Sequence, residues 1–172
     1  MTVLVTYASK HGSTRAIAEA IGDRLRERGV KTDVRPVRDV DDLEGFDAVV
    51  VGSAVYLGSW MKEGQAFLDR HAEVLRGVPV WLFSSGPMGT DEGEALLDKQ
   101  RRRLETVGPR DHHVFGGALD RDKLGFLERR VVKAAKTPLG DFRDWTDVER
   151  WADSIADAAR SGGSGPREGG RR

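Results

Sequence analysis

The sequence contains no cysteine, so disulfides, iron–sulfur clusters and thiol chemistry are excluded. No apolar run approaches the length needed to span a bilayer. The first residues pass straight into strand-like sequence, without the basic stretch, apolar core and cleavage site of a secretory signal. These absences set the expectation of a cytoplasmic protein, with peripheral attachment to the inner face of a membrane left open. Charge of one sign is missing too. Lys+Arg 28 against Asp+Glu 28 leaves a formal net charge of +0, without the basic surplus of a nucleic-acid-binding chain, so no nucleic-acid partner is expected. Among the histidines only His112 and His113 adjoin, and they lack the i, i+4 spacing or carboxylate frame of a metal site. No metal is expected, and the pair reads as the start of a strand.

What is present is an alternation of strands and helices in 172 residues, enough for one domain with a sizeable core. "VLVTY" (Val3–Tyr7) reads as a buried strand. A helix follows from Ser13 to near Gly29, with Ile17, Ala20, Ile21 and Leu25 on one face. Val30–Pro36 suits an outer strand, and "DAVVVGS" (Asp47–Ser53) a central parallel one. Met61–Arg76 is expected to be helical, turning Phe67, Leu68, Ala72 and Leu75 inward and stopping at Gly77. "PVWLFSSG" and "HHVFGGAL" read as strands on either side of a helix over Glu92–Val107. A last helix, Thr146–Arg160, opens on the capping box Thr146-Asp147-Val148-Glu149 and buries Val148, Trp151, Ile155 and Ala158/Ala159. The pattern predicts an α/β fold: a doubly wound five-stranded parallel sheet of order 2-1-3-4-5 with helices on both faces. Residues 1–160 are expected to form this domain, with an insert at 120–145 before the last helix. Residues 161–172 are Gly/Ser/Arg-rich and are expected to be disordered.

In such a sheet ligands sit beyond the carboxyl ends of the strands, where three loops collect chemistry. The first is Ser9-Lys10-His11-Gly12-Ser13-Thr14. Its hydroxyls, glycine and helix start favour anion binding over a plain helix cap. It carries neither G-x-G-x-x-G nor G-K-[ST], which excludes a dinucleotide fingerprint and an NTP P-loop. The second, Ala54-Val55-Tyr56-Leu57-Gly58 with Trp60, offers two aromatics for stacking on a flat ring; either of them could pack on the core instead. The third, Ser84-Ser85-Gly86-Pro87-Met88-Gly89, offers free backbone groups to a ligand edge. A receiver domain is set aside, because Gly52-Ser53 and Tyr7-Ala8 stand where its acidic residues would be.

On these loops the sequence resembles the flavodoxin-like family, whose phosphate loop has the form Ser-x-Thr-Gly-Asn-Thr. The resemblance covers the chain to about Arg160 and implies FMN, with its phosphate on Ser9–Thr14 and its ring between the second and third loops. The departures are His11 for a hydroxyl residue and Ser13 for an amide.

Two features point away from a plain electron carrier. The chain is neutral, whereas the family's carriers are acidic. Asp120–Trp145 is also far longer than a bare connection. On a helical wheel Leu124, Leu127, Val131, Ala134 and Ala135 fall on one side, and Arg129, Arg130, Lys133 and Lys136 on the other, with Phe126 and Glu128 as the exceptions. Such a basic amphipathic helix packs its apolar side on the domain, or lies at an anionic lipid surface. The insert, with "GGALDRDKLGFLERRVVKAAK" before "GDFRDW", is similar to the menaquinone-dependent protoporphyrinogen IX dehydrogenase branch of the family. That implies an FMN oxidoreductase of heme biosynthesis passing electrons from a tetrapyrrole to a quinone. The chemistry would be borne by the flavin without a catalytic side chain, and Arg129, Arg130 and Lys133 would be open to substrate propionates or lipid. The alternatives are a flavodoxin-type electron-transfer protein serving a redox partner, and an interaction domain without flavin.

Overall fold

The computed structural model describes residues 1–56, 58–86, 101–102, 104–134 and 139–162. Five parallel strands form the central sheet: β1 (Thr2–Ala8), β2 (Lys31–Pro36), β3 (Ala48–Tyr56), β4 (Val80–Gly86) and β5 (Asp111–Gly116), in the order β2-β1-β3-β4-β5. That is the expected topology. Each inner strand is a near-continuous apolar run because both its faces are covered. Val3, Val5 and Tyr7 of β1 join a cluster with Ile17, Ile21, Trp151 and Ile155, while Leu4 and Ala8 join another with Phe67, Leu68 and Leu75. The same alternation sends Val50 and Phe83 to the first cluster, and Val49, Val51 and Leu82 to the second. Helices α1 (Ser13–Glu27) and α4 (Trp145–Gly162) therefore cover one face, and α2 (Lys62–Arg76) the other.

Gly52 shows how tightly the centre is filled. A Cβ there would stand 2.0 Å from Phe83 Cζ, and Phe83 is the directly opposed residue on β4. The fully buried Phe83 ring also meets Phe115 and Trp151 at centroid distances of 5.9 and 6.1 Å, so it has nowhere to retreat.

Three expectations need correction. First, "HHVFGGAL" is not one strand. β5 ends at Gly116, and Ala118–Leu119 pairs antiparallel with Gly140–Asp141 in a separate ribbon. The Phe142 backbone crosses so closely that a Cβ at Gly116 would lie 2.0 Å from the Phe142 carbonyl oxygen. Second, α4 starts at Trp145 and not within the Thr146 capping box. Asp144 Oδ1 accepts the Asp147 N–H at 3.2 Å, which makes Asp144 the cap. The Asp147 carboxylate is thereby left to hold His113 Nε2 at 2.8 Å. Third, α3 (Phe126–Ala134) does not turn Leu127 onto the domain: Leu127 and Phe126 are 73% and 75% exposed, and Leu124, just ahead of the helix, is buried. Most of the expected Glu92–Val107 helix, Ala135, Lys136 and residues 163–172 of the tail lie outside the described residues; α4 itself carries Ser161 and Gly162.

Candidate functional site

The strand order reverses between β1 and β3, which brings the loops after them to one rim. A cleft opens there. Ser9, His11, Ser13 and Thr14 of the first loop line it, as do Ala54, Val55 and Tyr56 of β3, and Ser85 and Gly86 of β4. Nine expected residues thus converge on one space.

The first loop has the geometry of an anion cradle. Gly12 sits at φ 89°, ψ −6°, a left-handed conformation that glycine adopts at little cost. Its missing Cβ would meet nothing within 4 Å. The first turn of α1 carries no side-chain cap, so its N–H groups retain their capacity for an anion. The Gly12 N–H donates to Ser9 Oγ at 3.2 Å, and Ser13 Oγ accepts the Ala118 N–H at 2.8 Å. Both hydroxyls keep a proton to donate.

The second loop divides its two aromatics. β3 turns back on itself, with Val55 paired to Trp60 and Tyr56 to Ser59, through Gly58 at φ 75°. That hairpin returns Trp60 to the interior, where it is 2% exposed, so the expectation of an exposed stacking tryptophan is corrected. Its indole N–H donates to Ser84 Oγ at 2.7 Å, and Ser84 Oγ bonds His112 Nε2 at 2.8 Å. Ser84 is therefore structural as well: it is fully buried and does not line the cleft. Burial holds His112 down to about 4, so its imidazole is neutral when it shares this bond with Ser84. Tyr56 stays at the rim, 38% exposed, with His11 edge-on at 6.3 Å. Burial around its hydroxyl, helped by the Glu128 charge, pushes the phenol up to about 12, which keeps it a donor.

Lys10 and Gly12 line a neighbouring hollow instead, with Tyr7, Arg15, Arg38 and Glu63. Leu57, Pro87, Met88 and Gly89 lie outside the described residues. Gly58 does not line the cleft. Gly117, Ala118 and Leu119 do, and the loop reading missed them. Their signal was the Gly116-Gly117 pair, whose second glycine donates its N–H to the Gly86 carbonyl.

Glu128 was missed altogether. Its Oε1 pairs with Lys10 Nζ and lies 3.4 Å from His11 Nε2, while Oε2 accepts the Gly125 N–H at 2.9 Å. Hydrogen bonds from Lys10 and then Gly125 hold this carboxyl down to about 2. Arg129 donates to the Leu124 carbonyl at 3.0 Å, and Arg130 lies 6.0 Å from the Phe126 ring centroid. Lys133 is exposed on the same helix. None of these three cations lines the cleft.

Residues 4–146 match the family described as Flavodoxin domain. The chain belongs to the flavodoxin domain family. It is 30% identical over 177 residues to Protoporphyrinogen IX dehydrogenase (quinone) of Escherichia coli strain K12, covering 91% of this chain and 95% of that one. Over 99 residues it is 32% identical to NAD(P)H dehydrogenase (quinone) of Cupriavidus metallidurans, covering 44% and 50%. A flavodoxin from the domain Archaea superposes with a TM-score of 0.63 at 20% identity, over 93% of this chain and 99% of that one, which establishes the flavodoxin fold.

The cofactor of this family is FMN, and the residues present fit it. The cradle offers neutral donors at an uncapped helix start. His11 Nε2 is buried without a hydrogen-bond partner, 3.4 Å from Glu128 Oε1. Ser9, His11, Gly12, Ser13 and Thr14 would hold the phosphate, and Ala54 to Tyr56, Ser85, Gly86 and Gly117 would border the ring. No helix among the described residues is long and apolar enough to cross a membrane.

Proposed function

We propose that this protein is an FMN-dependent oxidoreductase that takes two electrons and two protons from a reduced donor, such as a protoporphyrinogen, and passes them to a quinone, giving the quinol. The observation that carries this reading is the convergence of the phosphate cradle and the Tyr56 and Gly86 segments on one cleft, in a chain related along 91% of its length to a quinone-linked dehydrogenase. Bound FMN supplies the hydride acceptance and the one- or two-electron delivery. The protein binds the phosphate at Ser9–Thr14, offers the Tyr56 phenol at the rim and aligns the ring edge with the Ser85–Gly86 and Gly117 backbone. Among the described residues that line the cleft, the titratable side chains are His11 and Tyr56.

The insert supports a lipid-soluble acceptor. Phe126 and Leu127 stand in solvent beside Arg130, and Leu139, Phe142 and Trp145 add exposure of 46%, 45% and 41%. Apolar side chains interleaved with cations suit the interfacial zone of an anionic membrane. In this reading the protein works peripherally on the cytoplasmic face, and Arg129, Arg130 and Lys133 meet lipid head groups or substrate carboxylates.

The test is reconstitution with FMN, followed by anaerobic mixing with protoporphyrinogen and a menaquinone analogue. Flavin bleaching by the first and recovery with the second is the expected result. Failure to take up FMN would overturn the reading. Uptake with exchange only to a reductase would support the second reading, a flavodoxin-type carrier, which the archaeal flavodoxin's fold also accommodates.

A further inference from the structure

We infer that Glu128 sets the affinity of the phosphate loop, by competing with a bound phosphate for Lys10 and His11. This rests on the reading of Ser9–Thr14 as the cofactor phosphate site. Lys10 and His11 are the basic side chains of that loop, and one carboxylate oxygen pairs with Lys10 and stands 3.4 Å from His11 Nε2. The next cation along the chain, Arg15, is already held by Glu19 at 2.8 Å. An anion arriving at the cradle therefore meets hydroxyl and backbone donors beside a lysine whose positive charge is already compensated.

The carboxylate is placed there by the start of its own helix. Oε2 accepts the Gly125 N–H at 2.9 Å, and the Gly125 carbonyl accepts the Arg129 N–H at 2.9 Å. The first of these is one half of a capping box, in which the third helical residue reaches back to the cap N–H; the second is the first bond of the helix itself. One carboxylate thus closes the helix with one oxygen and the phosphate loop with the other. It remains ionised throughout the physiological range, with its pKa at about 2. A phosphate on the loop either displaces Oε1 from Lys10 and His11 or binds against its charge. In both cases filling the cradle loosens the tie between α3 and the first loop.

Glu128→Gln removes the charge and keeps an oxygen for the Gly125 N–H, so the helix start survives. Titrating the apoprotein with FMN, riboflavin and inorganic phosphate separates the effects. One unscreened like charge near the site corresponds to about a fivefold change in Kd. FMN and inorganic phosphate are expected to bind the Glu128→Gln protein about fivefold more tightly at low salt. The gain should fade as salt shortens the screening length. Riboflavin, which lacks the phosphate, should bind both proteins alike, and adding Lys10→Met should remove most of the gain. Unchanged or weaker phosphate binding would overturn the inference. An equal gain for riboflavin would overturn it too, because Glu128 would then act through the placement of α3 and not through the anion. If neither flavin binds but phosphate still distinguishes the two proteins, the cofactor reading fails and this one stands.

Discussion

Ser84 and Ser85 are neighbours on β4, and the structure gives them opposite duties. Ser84 Oγ is the hub of a buried chain: it accepts the Trp60 indole N–H at 2.7 Å and bonds His112 Nε2 at 2.8 Å. Ser84→Ala leaves both partners without it. Trp60 is 2% exposed, so water cannot replace the lost acceptor there. Removing one partner of a buried hydrogen bond costs about 1–3 kcal/mol, and the two bonds lost together should cost about 2–4 kcal/mol. For a chain of this size each kcal/mol lowers Tm by about 2–4 °C, so the midpoint should fall by on the order of 10 °C. Ser85→Ala makes the complementary case. Ser85 is 3% exposed and lines the cleft, and its loss should weaken FMN binding while costing less than about 1 kcal/mol of stability. Urea unfolding followed by tryptophan fluorescence, with FMN titration of each variant, reads both effects. The reasoning fails if Ser84→Ala unfolds like the parent, or if it weakens FMN binding more than Ser85→Ala does.

Acid should expose the same chain of bonds. Folded His112 titrates near 4 and its unfolded counterpart near 6.5, so the unfolded state takes up the extra proton between those values. Its contribution is complete above pH 6.5 and is lost as the pH falls toward 4, amounting to about 3 kcal/mol at most. Chemical denaturation across that window should show a slope that His112→Gln reduces. Gly52→Ala would press a methyl group to within 2.0 Å of the immobile Phe83 ring and should cost about 1–3 kcal/mol or more, seen as a lower urea midpoint at unchanged m-value. Thr14→Val deletes a hydroxyl that lines the cradle at a site 1% exposed; FMN affinity should drop by about fivefold or more, and unchanged binding would displace the phosphate site from this loop.

The strands and their order were legible because each inner strand is an unbroken apolar run and each helix keeps one apolar stripe. Those are one-dimensional signals with a direct physical cause. The cradle was legible for the same reason: Gly12, Thr14 and the helix start are local in sequence. What escaped depended on return paths. Trp60 looked like a loop aromatic, and only the hairpin through Gly58 carries it inside. Ser84 looked like loop chemistry until its partner on β5 was known. The helical wheel of the insert ranked Glu128 as a blemish and Leu127 as an anchor, and the structure reverses both. A wheel reports which residues share a side. It carries no information on what that side faces, and here the domain offers α3 the Lys10 ammonium and the His11 ring.

The insert is consequently part of the site. Leu119 pairs with Gly140, so its ends lie together and the excursion between them could in principle stand apart from the sheet. It does not. The Ala118 N–H is held by Ser13 of the cradle, the Phe142 N–H by the Gly117 carbonyl beside the cleft, and Glu128 by Lys10 and His11. Each tie ends on the first loop or on the rim where the flavin edge would lie. A neutral domain with such a strap differs physically from a carrier that leaves its flavin edge open for docking. Its apolar residues stand outward on the same strap that touches the first loop, so whatever those residues meet is mechanically connected to the loop proposed to hold the phosphate.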